Sequence, residues 1–270
     1  MLITLIGHGY VGKYIAAELS DQGIPYRWVD HGYIADIGIP AGTDFVINAA
    51  GFTGVPNVDA CESRKDETLN GNVIFPLYVE SISEVPVLHI TSGCVYSGYP
   101  DGGYKEDHRT DFTFDNGSFY SGSKALFQEL WTPYADHNRS YLFRIRMPFG
   151  PDNLDKNLIM KLYKYKRLVD FKNSVSYLPD VAKAAVHFAL TRPEPGIYNA
   201  VNPQPITTRR ITEYMNYPAD WMTEAEFKSE VKAPRSNCTL NPDKMQAVFK
   251  FTDTTKALTE ALNLIHSIPL

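Results

Sequence analysis

Tyr120-Ser-Gly-Ser-Lys124 sets a phenol and an ammonium four residues apart, the spacing that puts both on one face of a helix. A neighbouring cation favours phenolate, so such a tyrosine can exchange a proton with a carbonyl or alcohol oxygen. Read alone, such a pair is more often than not an ordinary solvated helix contact. Ser92, in Thr91-Ser-Gly-Cys94, follows an apolar run and offers a second hydroxyl to polarise the same oxygen. Different chemistry is written at the N-terminus. There Gly7-His-Gly9-Tyr10-Val11-Gly12 matches a glycine turn that presents a dinucleotide's pyrophosphate to a helix N-terminus. Gly7 permits the tight turn, Gly9 the approach of a phosphate, and Gly12 the packing of helix on strand. Asp30 falls where a carboxylate can bind a ribose 2′-hydroxyl and repel a 2′-phosphate, although Arg27 and His31 leave a plain strand-end carboxylate equally open. Asp36 could edge the adenine, with a loop aspartate the simpler reading.

These groups need strand ends and helix starts to hold them. Leu2–Ile6 is a short apolar run followed at once by the glycine turn and a helical pattern through Val11, Ile15, Ala16 and Leu19, with Gly23 as a stop. Further strands are expected at Tyr26–Val29, Phe45–Asn48, Val87–Ile90, Tyr141–Ile145 and Gly196–Asn199. One helix-like stretch runs from about Asp59 to Ile82, and another contains Tyr120 to about Trp131. A Gly/Pro/Tyr-rich loop covers 97–116. Strands alternating with helices over 145 residues predict an α/β fold, a Rossmann-type doubly wound parallel sheet. After Pro148 the pattern loosens into a basic helical piece at 156–167, a helix at 178–191 and proline-punctuated helices. We expect a dinucleotide-binding domain from 1–150 plus about 176–200, and a small substrate-binding lobe from about 151–175 and 201–270.

At 270 residues, with 44% hydrophobic and 21% charged side chains, the chain is an ordinary globular protein able to bury a core. Its 26 Lys and Arg against 31 Asp and Glu leave a formal charge of −5, which gives no global attraction to nucleic acid or an anionic membrane. Any anion site must be local. Cys61, Cys94 and Cys238 are too far apart for a metal knuckle and odd in number for a disulfide framework, so a reducing, cytoplasmic setting and no metal are expected. The N-terminus shows no signal peptide, and the sequons at Asn116, Asn138 and Asn237 read as incidental.

Gly7, Gly9 and Gly12, the strand-end run Asn48-Ala49-Ala50-Gly51, Ser92, Tyr120 and Lys124 together, in that order, resemble the extended short-chain dehydrogenase/reductases. Asn48–Ser63, Gly117–Ser121, Arg144–Pro148 and Ala233–Asn237 look more closely like the nucleotide-rhamnose synthases, bifunctional UDP-4-keto-6-deoxyglucose 3,5-epimerase/4-reductases. The dTDP-4-dehydrorhamnose reductases are more distantly similar. The resemblance implies an NAD(P)H-dependent enzyme taking UDP-4-keto-6-deoxy-D-glucose to UDP-L-rhamnose. NADPH or NADH would lie against Tyr10, Val11, Asp30, Asp36, Asn48, Ala49, Ala50, Gly51 and Lys124 as well as the glycines.

The family's strand-end turn carries Thr where this chain has Ser92, and both supply the hydroxyl. Cys94 and Lys161 match the pair thought to epimerise; taken alone, Cys94 is a small core residue and Lys161 part of a basic run with Lys164, Lys166 and Arg167. Asn57, Asn157 and Arg235 match positions expected to face the nucleotide sugar, with Arg235 on its diphosphate through guanidinium–phosphate geometry. Asp59, Cys61 and Glu62 read as a helix surface. Since there is no second glycine fingerprint, the preceding 4,6-dehydratase would be a separate protein. A homodimer stays open. The competing readings are a 4-ketosugar reductase without epimerase activity and a cofactor-binding regulatory subunit.

Overall fold

The computed structural model describes residues 1–55, 57–134 and 139–267; Pro56 and the sequon residue Asn138 lie outside them. In chain order the first half runs β1 (Ile3–Ile6), α1 (Tyr10–Asp21), β2 (Tyr26–Val29), α2 (His31–Ile37), β3 (Phe45–Asn48), α3 (Lys65–Leu69), α4 (Phe75–Ile82), β4 (Val87–Ser92), α5 (Phe119–Tyr134) and β5 (Ser140–Ile145). Then follow β6 (Pro148–Phe149), α6 (Leu158–Lys164), β7 (Arg167–Val169), β8 (Lys172–Asn173), β9 (Ser176–Tyr177), α7 (Leu178–Thr191) and β10 (Gly196–Asn199). The chain ends with β11 (Ile206–Thr207), α8 (Thr208–Tyr214), β12 (Asp220–Met222), α9 (Glu224–Glu230), α10 (Asp243–Val248) and α11 (Thr254–Ser267).

Every residue of β1, β3 and β5 is buried, the uninterrupted apolar pattern of strands covered on both faces. They lie inside a six-stranded parallel sheet of order β10-β5-β4-β3-β1-β2, as the strand–helix alternation predicts. The chain runs from β1 outward to β2 and then crosses to β3 on β1's other side. The glycine turn after β1 therefore stands at the point where strand order reverses, the crevice in which such sheets bind ligands. Ile15 and Leu19 of α1 pack with the alanine-rich face of α7 on one side of the sheet. Phe75 and Val79 of α4, with Phe127 and Trp131 of α5, cover the other.

A second apolar cluster joins Phe149, α6, Tyr177, α8 and α11, whereas Met245 and Phe251 pack into the first core. No described helix is long and apolar enough to cross a membrane.

Two expected helices are broken, each for a local reason. The stretch 59–82 divides into a 3₁₀ turn at Val58–Glu62, then α3, a π turn at Asn70–Ile74, and α4. Pro76 has no N–H to donate back to Asn72, so the helical ladder widens there, with Phe75 N–H reaching Asn70 C=O instead. The basic piece 156–167 keeps its helix only over α6; Arg167 instead enters β7 and pairs with Glu226 and Glu230.

Candidate active site

Gly7 has φ +100°, and a Cβ there would meet Ala50 N at 2.7 Å, so the turn needs glycine both for conformation and for its contact with the end of β3. A Cβ on Gly12 would lie 2.1 Å from Gly7 O, which ties helix α1 directly to the turn. At Gly9, the N-cap of α1, a Cβ would meet nothing within 4 Å. The helix N-terminus therefore faces open space, with no acidic side chain in its first turn, and fits a pyrophosphate.

Asp30 caps α2 by accepting from Tyr33 N–H through Oδ1 at 2.8 Å and is exposed at the end of β2, beside the turn, where Gly7 N–H bonds Val29 O. Asp36 lies on the exposed surface of α2's last turn, not in a loop, and makes no hydrogen bond to the glycine turn. Tyr10 is turned away to Asp152: its hydroxyl donates at 2.9 Å, and Tyr14 donates to the same carboxylate oxygen. Burial comes first among the causes that raise both phenols, and the carboxylate adds to it. Val11 packs against the first core. Asn48 accepts from Ala50 N–H at 3.1 Å in the turn it precedes, and its amide nitrogen meets His89 Nδ1 of β4 at 3.1 Å. Ala49 N–H is bonded to Ile6 O.

A Cβ on Gly51 would approach Lys124 Nζ at 3.3 Å and Asn72 Oδ1 at 3.4 Å, so the β3 turn and α5 meet there. Tyr120 and Lys124, in the first two turns of α5, are both buried, with the ammonium 6.0 Å from the tyrosine ring centroid. Burial pulls Lys124 down to about 8, against the opposing pull of Cys61 and Cys94. Burial and Cys94 raise the Tyr120 phenol, while a hydrogen bond with Ser92 lowers it. At neutral pH the site thus holds a protonated phenol beside an ammonium, the arrangement a proton donor requires. Ser92 also accepts from Cys94 N–H at 3.0 Å, which fixes the turn carrying both side chains.

Cys94 Sγ accepts from Arg146 Nη1 at 2.7 Å. Burial first, then the like charge of Lys156, depresses the Lys161 ammonium, with Cys94 opposing and Arg235 adding. It does not share a solvated face with its basic neighbours, for Lys164 is exposed and paired with Asp155 while Arg167 pairs with α9. Lys156 reaches back to Thr53 Oγ1 at 3.0 Å and Gly54 O at 2.7 Å. Arg235 is bound bidentately to Asp59 at 2.7 and 2.9 Å, and this contact leads the causes that lower the Asp59 carboxyl. Asp59, Cys61 and Glu62 are therefore no helix surface: Cys61 is buried, and Glu62 accepts from Phe119 N–H at 2.7 Å. The amides of Asn57 and Asn157 serve the backbone. Asn57 caps the 3₁₀ turn through Asp59 N–H, while Asn157 caps α6 and donates to Gly150 O and Asp152 O.

Three contributors lay outside the sequence-derived set. Arg146 sits on the cysteine; Lys156 joins the cation group; and Asn72, in the π turn, bridges Phe52 and Ser123. For Arg146 a signal was present, since two arginines interrupt the otherwise apolar strand end Tyr141-Leu-Phe-Arg-Ile-Arg.

Comparison with known proteins agrees with this geometry. A bifunctional dTDP-4-dehydrorhamnose 3,5-epimerase/dTDP-4-dehydrorhamnose reductase of Arabidopsis thaliana is 34% identical over 263 residues, covering 89% of this chain and 85% of that one. A trifunctional UDP-glucose 4,6-dehydratase/UDP-4-keto-6-deoxy-D-glucose 3,5-epimerase/UDP-4-keto-L-rhamnose-reductase of the same plant is 32% identical, and the alignment spans 38% of that longer protein. Among solved structures, the UDP-rhamnose synthase of Acanthamoeba polyphaga mimivirus superposes with TM-score 0.87 at 22% identity over 98% of this chain and 99% of that one. A dTDP-4-dehydrorhamnose reductase of Bacillus anthracis in complex with NADP superposes with TM-score 0.76 at 16% identity, covering 97% of each chain. The model of the NAD dependent epimerase/dehydratase family matches residues 3–200, from the first strand of the sheet to the last, and the chain is an NAD(P)-dependent enzyme belonging to that family.

Proposed function

We propose that this enzyme converts UDP-4-keto-6-deoxy-D-glucose to UDP-L-rhamnose by 3,5-epimerisation followed by NAD(P)H-dependent reduction at C4. The observation that carries the reading is that Cys94 belongs to both halves of the site. It shares a turn with Ser92 and lies within electrostatic reach of both Tyr120 and Lys161. A C4 ketone acidifies the hydrogens at C3 and C5. Cys94 as thiolate takes a proton from one face, the C–H electron pair passing into the enolate, and the Lys161 ammonium returns a proton to the opposite face; the groups are reset by solvent. A reduced dinucleotide, its pyrophosphate held by the glycine turn, would supply the hydride. Ser92 and Tyr120 then hold the ketone oxygen, Tyr120 gives it a proton, and the Lys124 ammonium stabilises the phenolate left behind. Lys156 and Arg235, with Asp59 orienting the latter, offer positive charge to the diphosphate. The second apolar cluster, with segments from about 151–175 and 201–270, would form the substrate lobe.

Turnover in D₂O tests the assignment. Deuterium should enter C3 and C5 of the product, and Cys94→Ala or Lys161→Ala should suppress it. An enzyme that reduces a pre-epimerised 4-keto-L-rhamnose nucleotide but exchanges neither carbon is a 4-reductase alone.

A further inference from the structure

Arg146 has no part in the chemistry above, yet it is one of the most constrained side chains in the protein. It follows β5 directly, its backbone N–H donates to Ser176 Oγ at 2.9 Å, and Met147 after it is held at φ +39°, a left-handed conformation unusual before a proline. The guanidinium is buried. Nη1 donates to Cys94 Sγ at 2.7 Å, Nη2 to Asn173 Oδ1 at 2.6 Å and to Ser236 O, and Nε is buried without a partner. Among the described residues no carboxylate bonds to it. A buried guanidinium is ordinarily matched by an anion, because removing its charge from water is costly. The acidic groups beside it are thiols and a phenol: burial draws the guanidinium down, but Cys94, Cys238 and Tyr120 together more than offset this. Cys238 donates to Gly93 O at 3.4 Å, whereas Cys94 is only partly buried and is the sulfur that touches the guanidinium.

We infer that Arg146 is a positioning residue that holds the Cys94 sulfur in place and stabilises it as a thiolate through a charge-assisted hydrogen bond. The inference deepens the proposed epimerisation and rests on it for its role in catalysis. Arg146 keeps its own protons throughout; the thiolate becomes a thiol when it takes the sugar proton, and the guanidinium favours the loss of that proton to solvent when the site is reset.

Iodoacetamide alkylation of Cys94, followed by peptide mass spectrometry, reads the pairing without turnover, since Cys61 and Cys238 are buried. We expect Arg146→Met to slow alkylation at pH 7 at least tenfold, and Arg146→Lys, which keeps the charge, to restore part of the rate. Deuterium exchange at C3 and C5 should fall at least ten times more than reduction of a pre-epimerised substrate. A purely structural arginine would depress both reactions together and show no rescue by lysine, and that result overturns the proposal. So does wild-type Cys94 that alkylates at pH 6.5 no faster than free cysteine, a measurement that needs no variant to fold. If alkylation depends on Arg146 but the wild type exchanges no deuterium, the pairing is upheld and the epimerase reading fails instead.

Discussion

Lys124 offers a test in which stability and activity should move in opposite directions. Its ammonium is buried, and burial lowers it from an ordinary 10.5 to about 8. The unfolded chain therefore binds the proton more tightly than the folded one. Lys124 costs the fold most below pH 8, and its cost shrinks as pH rises from 8 towards 10.5, because across that window the unfolded state holds more protons. At about 1.4 kcal/mol per unit, the penalty is about 3 kcal/mol at pH 6.5 and about 1 kcal/mol at pH 9.5. Lys124→Met keeps the length of the side chain and removes the charge. Urea unfolding, followed by the fluorescence of buried Trp131, should show the variant more stable than wild type by about 3 kcal/mol at pH 6.5 and by about 1 kcal/mol at pH 9.5. Ketosugar reduction should collapse in the same protein. Comparing the two proteins at each pH cancels every other titrating group. An advantage that does not change between the two pH values would show that no ammonium is buried at this position and refute the electrostatic account of the site.

The remaining expectations concern the phenol and the glycine turn. Tyr120→Phe removes only the proton donor, so reduction should fall by about 10²–10⁴-fold while cofactor affinity, read by fluorescence titration, persists; near-normal reduction by a folded variant would exclude Tyr120 as the acid. Gly12→Ala forces a Cβ to within 2.1 Å of Gly7 O and should cost about 1–3 kcal/mol of stability or more. Gly9→Ala meets nothing within 4 Å and should fold with a loss of about 1 kcal/mol or less, yet bind NAD(P)H at least tenfold more weakly. Equal melting temperatures for the two alanine variants, or unchanged cofactor binding by Gly9→Ala, would contradict the geometry of the turn.

What could be read from the sequence was local in origin. β1, the glycine turn and α1 are adjacent in the chain, and their pattern of apolar run, glycines and helical period is complete within 21 residues. Helix α7 was legible for the same reason. The two-residue strands β6, β8, β9 and β11 were not, because each exists only through a partner at least 28 positions away. The π turn escaped because its cause is an absent N–H at Pro76, and its consequence, the bridge from Asn72 to Phe52, lies 20 residues upstream. Asn57 and Asn157 carried a local signal of a different kind: an asparagine before a short helix is a capping residue first, and both spend their carbonyl oxygens that way.

The arginine on Cys94 shows why the rest of the site could not be assembled from spacing. Cys94 and Arg146 are 52 residues apart, on turns that follow β4 and β5, and they meet because those strands are neighbours in register, Ser92 opposite Ile145. Lys161 comes within electrostatic reach of Cys94 from α6, and Lys156, in the loop before it, bonds Thr53 and Gly54. In a chain with a formal charge of −5, burial lowers the ammonium groups of Lys124, Lys156 and Lys161, while Cys94, Cys238 and Tyr120 hold the buried Arg146 guanidinium up. Such a concentration of desolvated positive charge opposes folding unless a ligand or a reaction uses it. A diphosphate, an enolate oxygen, a phenolate and a thiolate are the anions that the proposed sequence would bring or create in that space. The proposed reaction would thus supply anions to match these buried charges.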